Sequence, residues 1–395
     1  MATKTGVWDV QEVRDKQLLS EWTYSAGDPG SYFTWGNNSH GQLGQNSTQD
    51  LSSPVQVPGT WNSVFASGGG EGCSGGIKTD GTMWTWGHNL FGQTGDNSRT
   101  YRSSPVQIGT DTNWATGVLR TGNYWTMALK TNGTLWTWGR NSEGWLGQNN
   151  NTHYSSPTQV GTDTTWNSAQ DKYDQASGNC AAIKTNGTLW TWGKQDAGNL
   201  GQNQYGTTYS SPKQVGTNTN WNTVSMGVMN ALGTKTDGSL WAWGVNEFGE
   251  LGQNEGPGGP YGQSRSSPVR VGTDTTWSQI RTAGQGVCYA IKTNGTLWSW
   301  GYNWSGQLGQ NTSTAFSSPT QVGTDTTWES IRGSSRALFK ATKTDGTFWI
   351  CGRNDFGGAI PGGESVDASS PIQIPGTNFS ALVGGTNYGA AVILE

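Results

Sequence analysis

The sequence predicts an all-β fold: a seven-bladed β-propeller closed by pairing of its N- and C-terminal strands, with a short N-terminal arm. Three observations lead there. A Trp-Gly pair, Cys-Gly in the last copy, recurs at Gly36, Gly87, Gly139, Gly193, Gly244, Gly301 and Gly352, and a Ser-Ser-Pro follows each one. The intervals are 51, 52, 54, 51, 57 and 51 residues, the size of a four-stranded blade and too long for a leucine-rich or ankyrin unit. The chain ends are complementary halves of one more hairpin. Ala390-Ala391-Val392-Ile393-Leu394-Glu395 matches the strand before the repeated turn, and Tyr32-Phe33-Thr34-Trp35-Gly36 matches the strand after it. Joining them in one blade would seal its open edges.

Each element of the repeat has a local reason. The runs flanking Asn186-Gly187 alternate apolar and polar residues rich in β-formers, and Asn-Gly or Asp-Gly supplies the positive φ of a tight hairpin. The turn recurs at Asp80-Gly81, Asn132-Gly133, Asp237-Gly238, Asn294-Gly295 and Asp345-Gly346. In Trp190-Thr191-Trp192 the two rings lie two residues apart, so both project from one strand face toward the neighbouring blade. The sequence has 23 Trp, and most occupy this pair or the Thr-x-x-Trp place at Trp61, Trp114, Trp166, Trp221, Trp277 and Trp328, which predicts an aromatic core. Cys73, Cys180 and Cys288 fall at nearly the same place in different repeats and are expected apart, reduced and buried. Cys351 stands where a core Trp stands elsewhere.

The order hairpin, Leu-Trp-Thr-Trp-Gly, Asn-x-x-Gly-Gln-Leu-Gly and Pro-x-Gln-Val resembles the repeat of the regulator of chromosome condensation family, in its plain bacterial and viral version, over roughly Gly30 to Glu395. The resemblance implies a seven-bladed propeller. The family's eukaryotic exchange factor acts through acidic and histidine side chains on one face, but the corresponding slots here hold Trp125, Asn179 and Val287. The Gly-Trp-Arg-His-Thr motifs of the family's plant photoreceptor are missing. The opening Thr5-Gly6-Val7-Trp8-Asp9-Val10-Gln11 resembles the starts of virion-associated proteins of marine bacteriophages that contain this repeat.

Charged residues are 13% of the chain and the net charge is −4, so no strong field exists to recruit nucleic acid or anionic lipid. No apolar run is long enough to span a membrane, and no signal peptide opens the chain. The three histidines, His40, His88 and His153, have no Cys or carboxylate at ligand spacing, so neither metal nor cofactor is expected. No Ser, His and Asp set and no carboxylate pair stands out, which predicts a non-enzymatic protein. The glycine-rich loops recur in every repeat without a following helix pattern, marking structural turns and not a phosphate cradle.

Individuality lies where the repeat is broken. Residues 1–28 precede the propeller at 29–395 and form a charged, helix-permissive arm with Trp8, Leu18, Leu19 and Trp22 as anchors, either a strap across the propeller or a docking peg. Blade five has an inserted Gly/Pro loop holding Tyr261 and Arg265, which suits surface recognition as well as a tolerated insertion. The variable pair inside Asn-x-x-Gly places Phe91, Phe248, Trp304 and Phe356 at one equivalent position, with His40 also there and Trp145 just past the corresponding glycine. Such aromatics stack on sugars, pack on a partner, or pack on the adjacent blade. The expectation is a bacteriophage virion protein (tail fibre, receptor-binding or decoration protein) attached to other virion proteins through its arm and meeting a host surface protein or glycan. The alternative is a cytoplasmic regulatory scaffold that binds a protein through one propeller face.

Overall fold

The structure, a computed structural model, describes residues 31–66, 72–121, 124–169, 172–176, 178–255, 263–284, 286–331, 338–353, 367–374, 381–383 and 388–393. The regular structure among them is all β, with no helix. The first described strands are β1 (Ser31–Gly36) and β2 (Leu51–Val57). Six four-stranded sheets of consecutive strands follow. The first comprises β3 (Trp61–Ala66), β4 (Cys73–Lys78), β5 (Met83–Gly87) and β6 (Arg102–Gln107). The second comprises β7 (Arg120–Thr121), β8 (Trp125–Leu129), β9 (Leu135–Gly139) and β10 (Tyr154–Gln159). Next come β11 (Tyr173–Ala176), β12 (Asn179–Ile183), β13 (Leu189–Gly193) and β14 (Tyr209–Gln214), then β15 (Trp221–Met226), β16 (Asn230–Lys235), β17 (Leu240–Gly244) and β18 (Arg265–Arg270). The fifth sheet is β19 (Trp277–Ala283), β20 (Val287–Lys292), β21 (Leu297–Gly301) and β22 (Phe316–Gln321). The sixth is β23 (Trp328–Ile331), β24 (Leu338–Lys343), β25 (Phe348–Gly352) and β26 (Ala368–Ile374). A further sheet, ordered β2-β1-β28-β27, joins the start of the chain to β27 (Ala381–Val383) and β28 (Tyr388–Ile393). Its central ladder runs antiparallel from Ser31↔Ile393 to Gly36↔Tyr388.

First strands of successive sheets touch one another, β3 with β7, β11 with β15, β15 with β19 and β19 with β23, so they surround the propeller axis. The fourth strands form the half-exposed rim, while second strands such as β8 and β12 are buried throughout. The core is therefore distributed between sheets, one cluster at each joint, and not gathered in one globule.

The hairpin between second and third strands differs from the expected two-residue turn. Lys78 N–H donates to Thr82 O and Gly81 N–H to Lys78 O, a three-residue connection in which only the glycine is left-handed, with φ 81°. The residue before it works through its side chain: Asp80 Oδ1 accepts from the N–H and hydroxyl of Thr82, and that hydroxyl accepts the indole N–H of Trp84 at 2.8 Å. The same chain of bonds runs through Asn132, Asn186, Asp237, Asn294 and Asp345. The Asn-Gly-Thr triplets are thus hairpin chemistry.

The two rings of each Trp-x-Trp pair have different fates, against the expectation that both are core. The second ring is fully buried in Trp86, Trp138, Trp192, Trp243 and Trp300. Each donates its indole N–H across the joint to a loop carbonyl of the preceding sheet: Gln42, Gln93, Trp145, Asn199 and Glu250, at 2.8–3.0 Å. Each such bond contributes about 1 kcal/mol net, and a buried indole left without it costs ~1–3 kcal/mol. The first ring is half-buried and roofed by a lysine. The Nζ of Lys78, Lys184, Lys235, Lys292 and Lys343 lies 3.6–3.8 Å from the centroid of Trp84, Trp190, Trp241, Trp298 and Trp349. An aspartate of the preceding Gly-Thr-Asp-Thr secures several of these lysines, as Asp325 does Lys343 at 2.8 Å, and likewise Asp111 secures Lys130, which lies over Trp136, at 2.8 Å. Burial pushes the Asp163 and Asp274 carboxyls up, but hydrogen bonds from Lys184 and Thr165, and from Lys292 and Thr276, overcome it and hold both at about 2.

Cys351 fills the buried slot of a second Trp, and its Sγ donates to Gln307 O at 3.5 Å, the carbonyl an indole would use. Tyr289 and Phe339, with centroids 5.0 Å apart, occupy the vacated ring volume, and the Tyr289 hydroxyl donates to that carbonyl at 2.7 Å. The four cysteines are buried and form no disulfide; Cys180 and Cys288 stand opposite Trp192 and Trp300, whereas Cys73 is one residue out of that register, opposite Gly87. Burial pushes the Cys180, Cys288 and Cys351 thiols up.

Candidate binding face

The connections from third to fourth strand all emerge at one end of the sheets, because every third strand runs in the same sense. Their repeated residues are consumed by architecture. Asn38 is buried, its amide donating to Ser47 O and Gln49 O at 2.8 and 3.0 Å while its Oδ1 accepts Leu43 N–H at 2.9 Å. Asn89, Asn141, Asn246 and Asn303 accept the equivalent N–H. Asn46, Asn97, Asn149, Asn203, Asn254 and Asn311 take left-handed φ of 55–60°, and each N–H clasps a serine carbonyl in the Ser-Ser-Pro of the next sheet, as Asn46 does Ser103 at 2.7 Å. Asn tolerates this conformation better than other non-glycine residues.

The variable pair of Asn-x-x-Gly is what remains for recognition. The first member points out: Ser39, Leu90, Ser142 and Trp304 are exposed, Trp304 by 69%. The second turns down toward its neighbours, as His40, Phe91 and Phe248 do. Trp304 thus sits one position before the place shared by Phe91 and Phe248, which is why it is exposed when they are half-buried.

Two aromatic groups result. In one, His40 and His88 meet edge to face at 4.9 Å, and Tyr101 lies 5.3 and 4.8 Å from them. Tyr124 and His153 both meet Phe91 at 5.4 Å, and the Arg140 guanidinium lies 5.2, 5.4 and 4.9 Å from the centroids of Phe91, Tyr124 and Trp145. Gln93 Oε1 accepts Phe91 N–H, so its amide nitrogen donates to His88 Nδ1 at 2.6 Å, which puts the His88 proton on Nε2. His153 Nδ1 likewise accepts Asn141 N–H at 3.0 Å, and burial, aided by the charges of Arg99 and Arg140, lowers its pKa. In the other group Phe248, Tyr302 and Trp304 have centroids 4.9–5.9 Å apart. Beneath it, buried Glu250 accepts Phe248 N–H at 2.8 Å, and burial pushes its carboxyl up to about 7.

Among the described residues the exposed large apolar side chains are Val55, Leu90, Tyr101, Tyr205, Trp304 and Ile372. Four of them, Leu90, Tyr101, Tyr205 and Trp304, lie in these connections; Val55 and Ile372 lie on the rim strands β2 and β26. Of the residues expected to form a partner surface, Phe91, Phe248 and Trp304 are on this face. Trp145 is not available: it is buried against Gly178, where a side chain would strike its ring, and its indole donates to Glu143 at 3.2 Å. It occupies the slot that Gln42 and Gln93 fill, beneath the loop. Arg265 is paired with Glu255 at 2.6 Å and donates to Gln263 O. Trp8, Leu18, Leu19, Trp22, Tyr261 and Phe356 lie outside the described residues. Sequence reasoning missed Tyr205, whose hydroxyl donates to Ser264 O, and also Tyr101, Tyr124 and Arg140, which stand at unrelated places in three connections, Tyr124 between β7 and β8, and converge only in space.

A cleft of about 310 Å³ between the fifth and sixth sheets is lined by Trp328, Trp349 and Asp325, and that aspartate is paired with Lys343. Among the described residues no group of three or more His, Cys, Asp or Glu could hold a metal ion, and no helix is long and apolar enough to cross a membrane.

The Regulator of chromosome condensation (RCC1) repeat matches residues 29–73, 132–169, 237–291 and 294–335. The chain is an all-β propeller that is similar over those residues to the RCC1 repeat. It is 24% identical over 327 residues to the human E3 ubiquitin-protein ligase HERC2, which covers 78% of this chain but 6% of that protein. With the ultraviolet-B receptor UVR8 of Arabidopsis thaliana it shares 25% identity over 362 residues, 89% of this chain and 79% of the receptor. Yeast RCC1 (Prp20), solved with Kap60, superposes with a TM-score of 0.75 at 18% identity, covering 100% of this chain and 94% of that one. Human WBSCR16 gives 0.74 at 17%, covering 92% and 100%. At these identities the structural likeness establishes the fold.

Proposed function

We propose that this propeller is a non-enzymatic regulatory scaffold that binds a protein partner through the face formed by its third-to-fourth-strand connections, with the seven sheets closed into a ring. The observation behind it is the gathering of Leu90, Tyr101, Tyr205 and Trp304 on that one face. The relatives point the same way: yeast Prp20 was studied for binding to Gsp1p and histones and solved bound to Kap60. The strongly shifted groups do not argue for catalysis, because the Cys351 thiol and Lys340 amine lie on strands of the sixth sheet and Glu250 in a loop of the fourth.

A cytoplasmic scaffold is preferred to a virion protein attached through residues 1–28, since none of the relatives named above is a virion component. Cosedimentation of the chain with phage particles in a density gradient would reverse that order. The face itself is tested by the combined variant Leu90→Ser, Tyr205→Ser and Trp304→Ser. It should melt as the parent does yet lose the partner captured from source-cell extract, whereas Val55→Ser with Ile372→Ser on the rim should keep it. Undiminished capture by the triple variant would refute the reading.

A further inference from the structure

The two aromatic groups on the binding face differ in charge. Two guanidiniums stand in the loops of the Phe91 group: Arg140 over the rings of Phe91 and Tyr124, and Arg99 two residues before Tyr101. Arg99 is exposed and makes no hydrogen bond or ion pair with a described residue. Arg140 spends its Nε on the Ser142 hydroxyl at 3.0 Å and lies over three rings, with no carboxylate paired to it among the described residues. The positive fields of both converge on His153.

Of the nearby described carboxylates only Asp96 is in an ion pair, while Asp50 and Glu143 keep their charge and accept from neutral N–H donors. Asp96 pairs with Arg102 at 2.5 Å, Asp50 accepts Asn38 N–H at 2.8 Å, and Glu143 accepts the Trp145 indole. Hydrogen bonds from Ser98, Arg102 and Thr94 hold the Asp96 carboxyl low against the opposing effect of burial. A chain of net charge −4 therefore presents, on this one patch, stacked rings beside two guanidiniums that no described carboxylate pairs. The Phe248, Tyr302 and Trp304 group differs: among the described residues no cation lies over its rings, and Glu247 is in its loop.

We infer that the patch of Phe91, Tyr101, Tyr124, Arg99 and Arg140 is the docking site for an acidic, aromatic-containing peptide segment of the partner. This rests on the proposed binding face and adds which part of it reads charge. Carboxylates of the segment pair with Arg99 and with the free guanidinium edge of Arg140, while an apolar ring packs on Phe91 and Tyr101. The histidines contribute as neutral stacking surfaces, since His88 and His153 each commit Nδ1 as an acceptor.

The test uses the full chain and two fluorescein-labelled peptides, one alternating Glu and Tyr, the other Lys and Tyr, followed by fluorescence anisotropy at low and high salt. The acidic peptide should bind, weaken on adding salt, and bind about tenfold less tightly to Arg99→Glu. Arg140→Lys, which keeps the charge, should lose less than Arg140→Gln, and Trp304→Ser should bind as the parent does. Binding of neither peptide overturns the inference, as does binding of the acidic peptide that Arg99→Glu leaves intact. Preference for the basic peptide, abolished by Trp304→Ser, also overturns it yet leaves the binding face standing.

Discussion

Replacing Glu250 with glutamine should stabilise the protein above neutrality and leave it nearly unchanged in acid. Glu250 occupies a slot that is an amide in three other connections: Gln42, Gln93 and Gln307 accept the N–H of His40, Phe91 and Ser305 at 2.9–3.0 Å, as Glu250 accepts that of Phe248 at 2.8 Å. Its burial raises the carboxyl from 4.5 to about 7, Glu247 adds to the rise, and backbone N–H groups of the loop oppose it. Glu250 is 3% exposed and packs against Gly286, where a Cβ would strike Oε1. The folded-state value lies above the unfolded one, so the favourable contribution is complete below 4.5 and is lost as pH rises through 7. At about 1.4 kcal/mol per pH unit the gap corresponds to roughly 3 kcal/mol. Urea titrations of parent and Glu250→Gln across this range should converge in acid and separate by about that amount in alkali. Parallel stability profiles for the two proteins would refute the assignment of Glu250 as a buried carboxyl.

Three further outcomes follow from the joints between sheets. Trp192→Ala should lose about 3–5 kcal/mol in denaturant titration, while Trp304→Ala, at an exposed site, should stay within about 0.5 kcal/mol of the parent. Cys351→Trp, although it restores the repeat, should destabilise by about 1–3 kcal/mol, because Tyr289 and Phe339 already fill the ring volume; a gain in melting temperature would show that the slot is empty. Deleting residues 31–36 removes β1, which holds both β2 and β28, and should abolish the cooperative melt, whereas a chain starting at Asp28 should retain it.

The strands were legible because the two-residue alternation and the Trp-Gly punctuation are local and repeat. The pairing of Tyr32 through Gly36 with the C-terminal strand was legible for the same reason: each end is recognisably half of a hairpin. The hairpin type was not, since Asn-Gly marks a turn without saying whether Asn adopts positive φ or, as Asp80 does, accepts from Thr82. The binding face was half legible. A Trp inside Asn-x-x-Gly announces a loop aromatic, but one residue of offset decides between outward Trp304 and half-buried Phe248. Trp145 shows the converse: it lies in a loop by sequence yet is buried, because its slot is defined by the next sheet. Tyr101, Tyr124 and Arg140 come from three separate connections, so only the packing of neighbouring sheets brings them together.

The central claim, that recognition occurs on the third-to-fourth-strand connections, is tested most directly by hydroxyl-radical footprinting of the propeller with its captured partner. Protection should fall on Leu90, Tyr101, Tyr205, Tyr302 and Trp304, while the hairpins at Asp80-Gly81, Asn186-Gly187 and Asn294-Gly295 at the opposite end stay as reactive as in the free chain. Protection of those hairpins, with Leu90 and Trp304 unchanged, would contradict it.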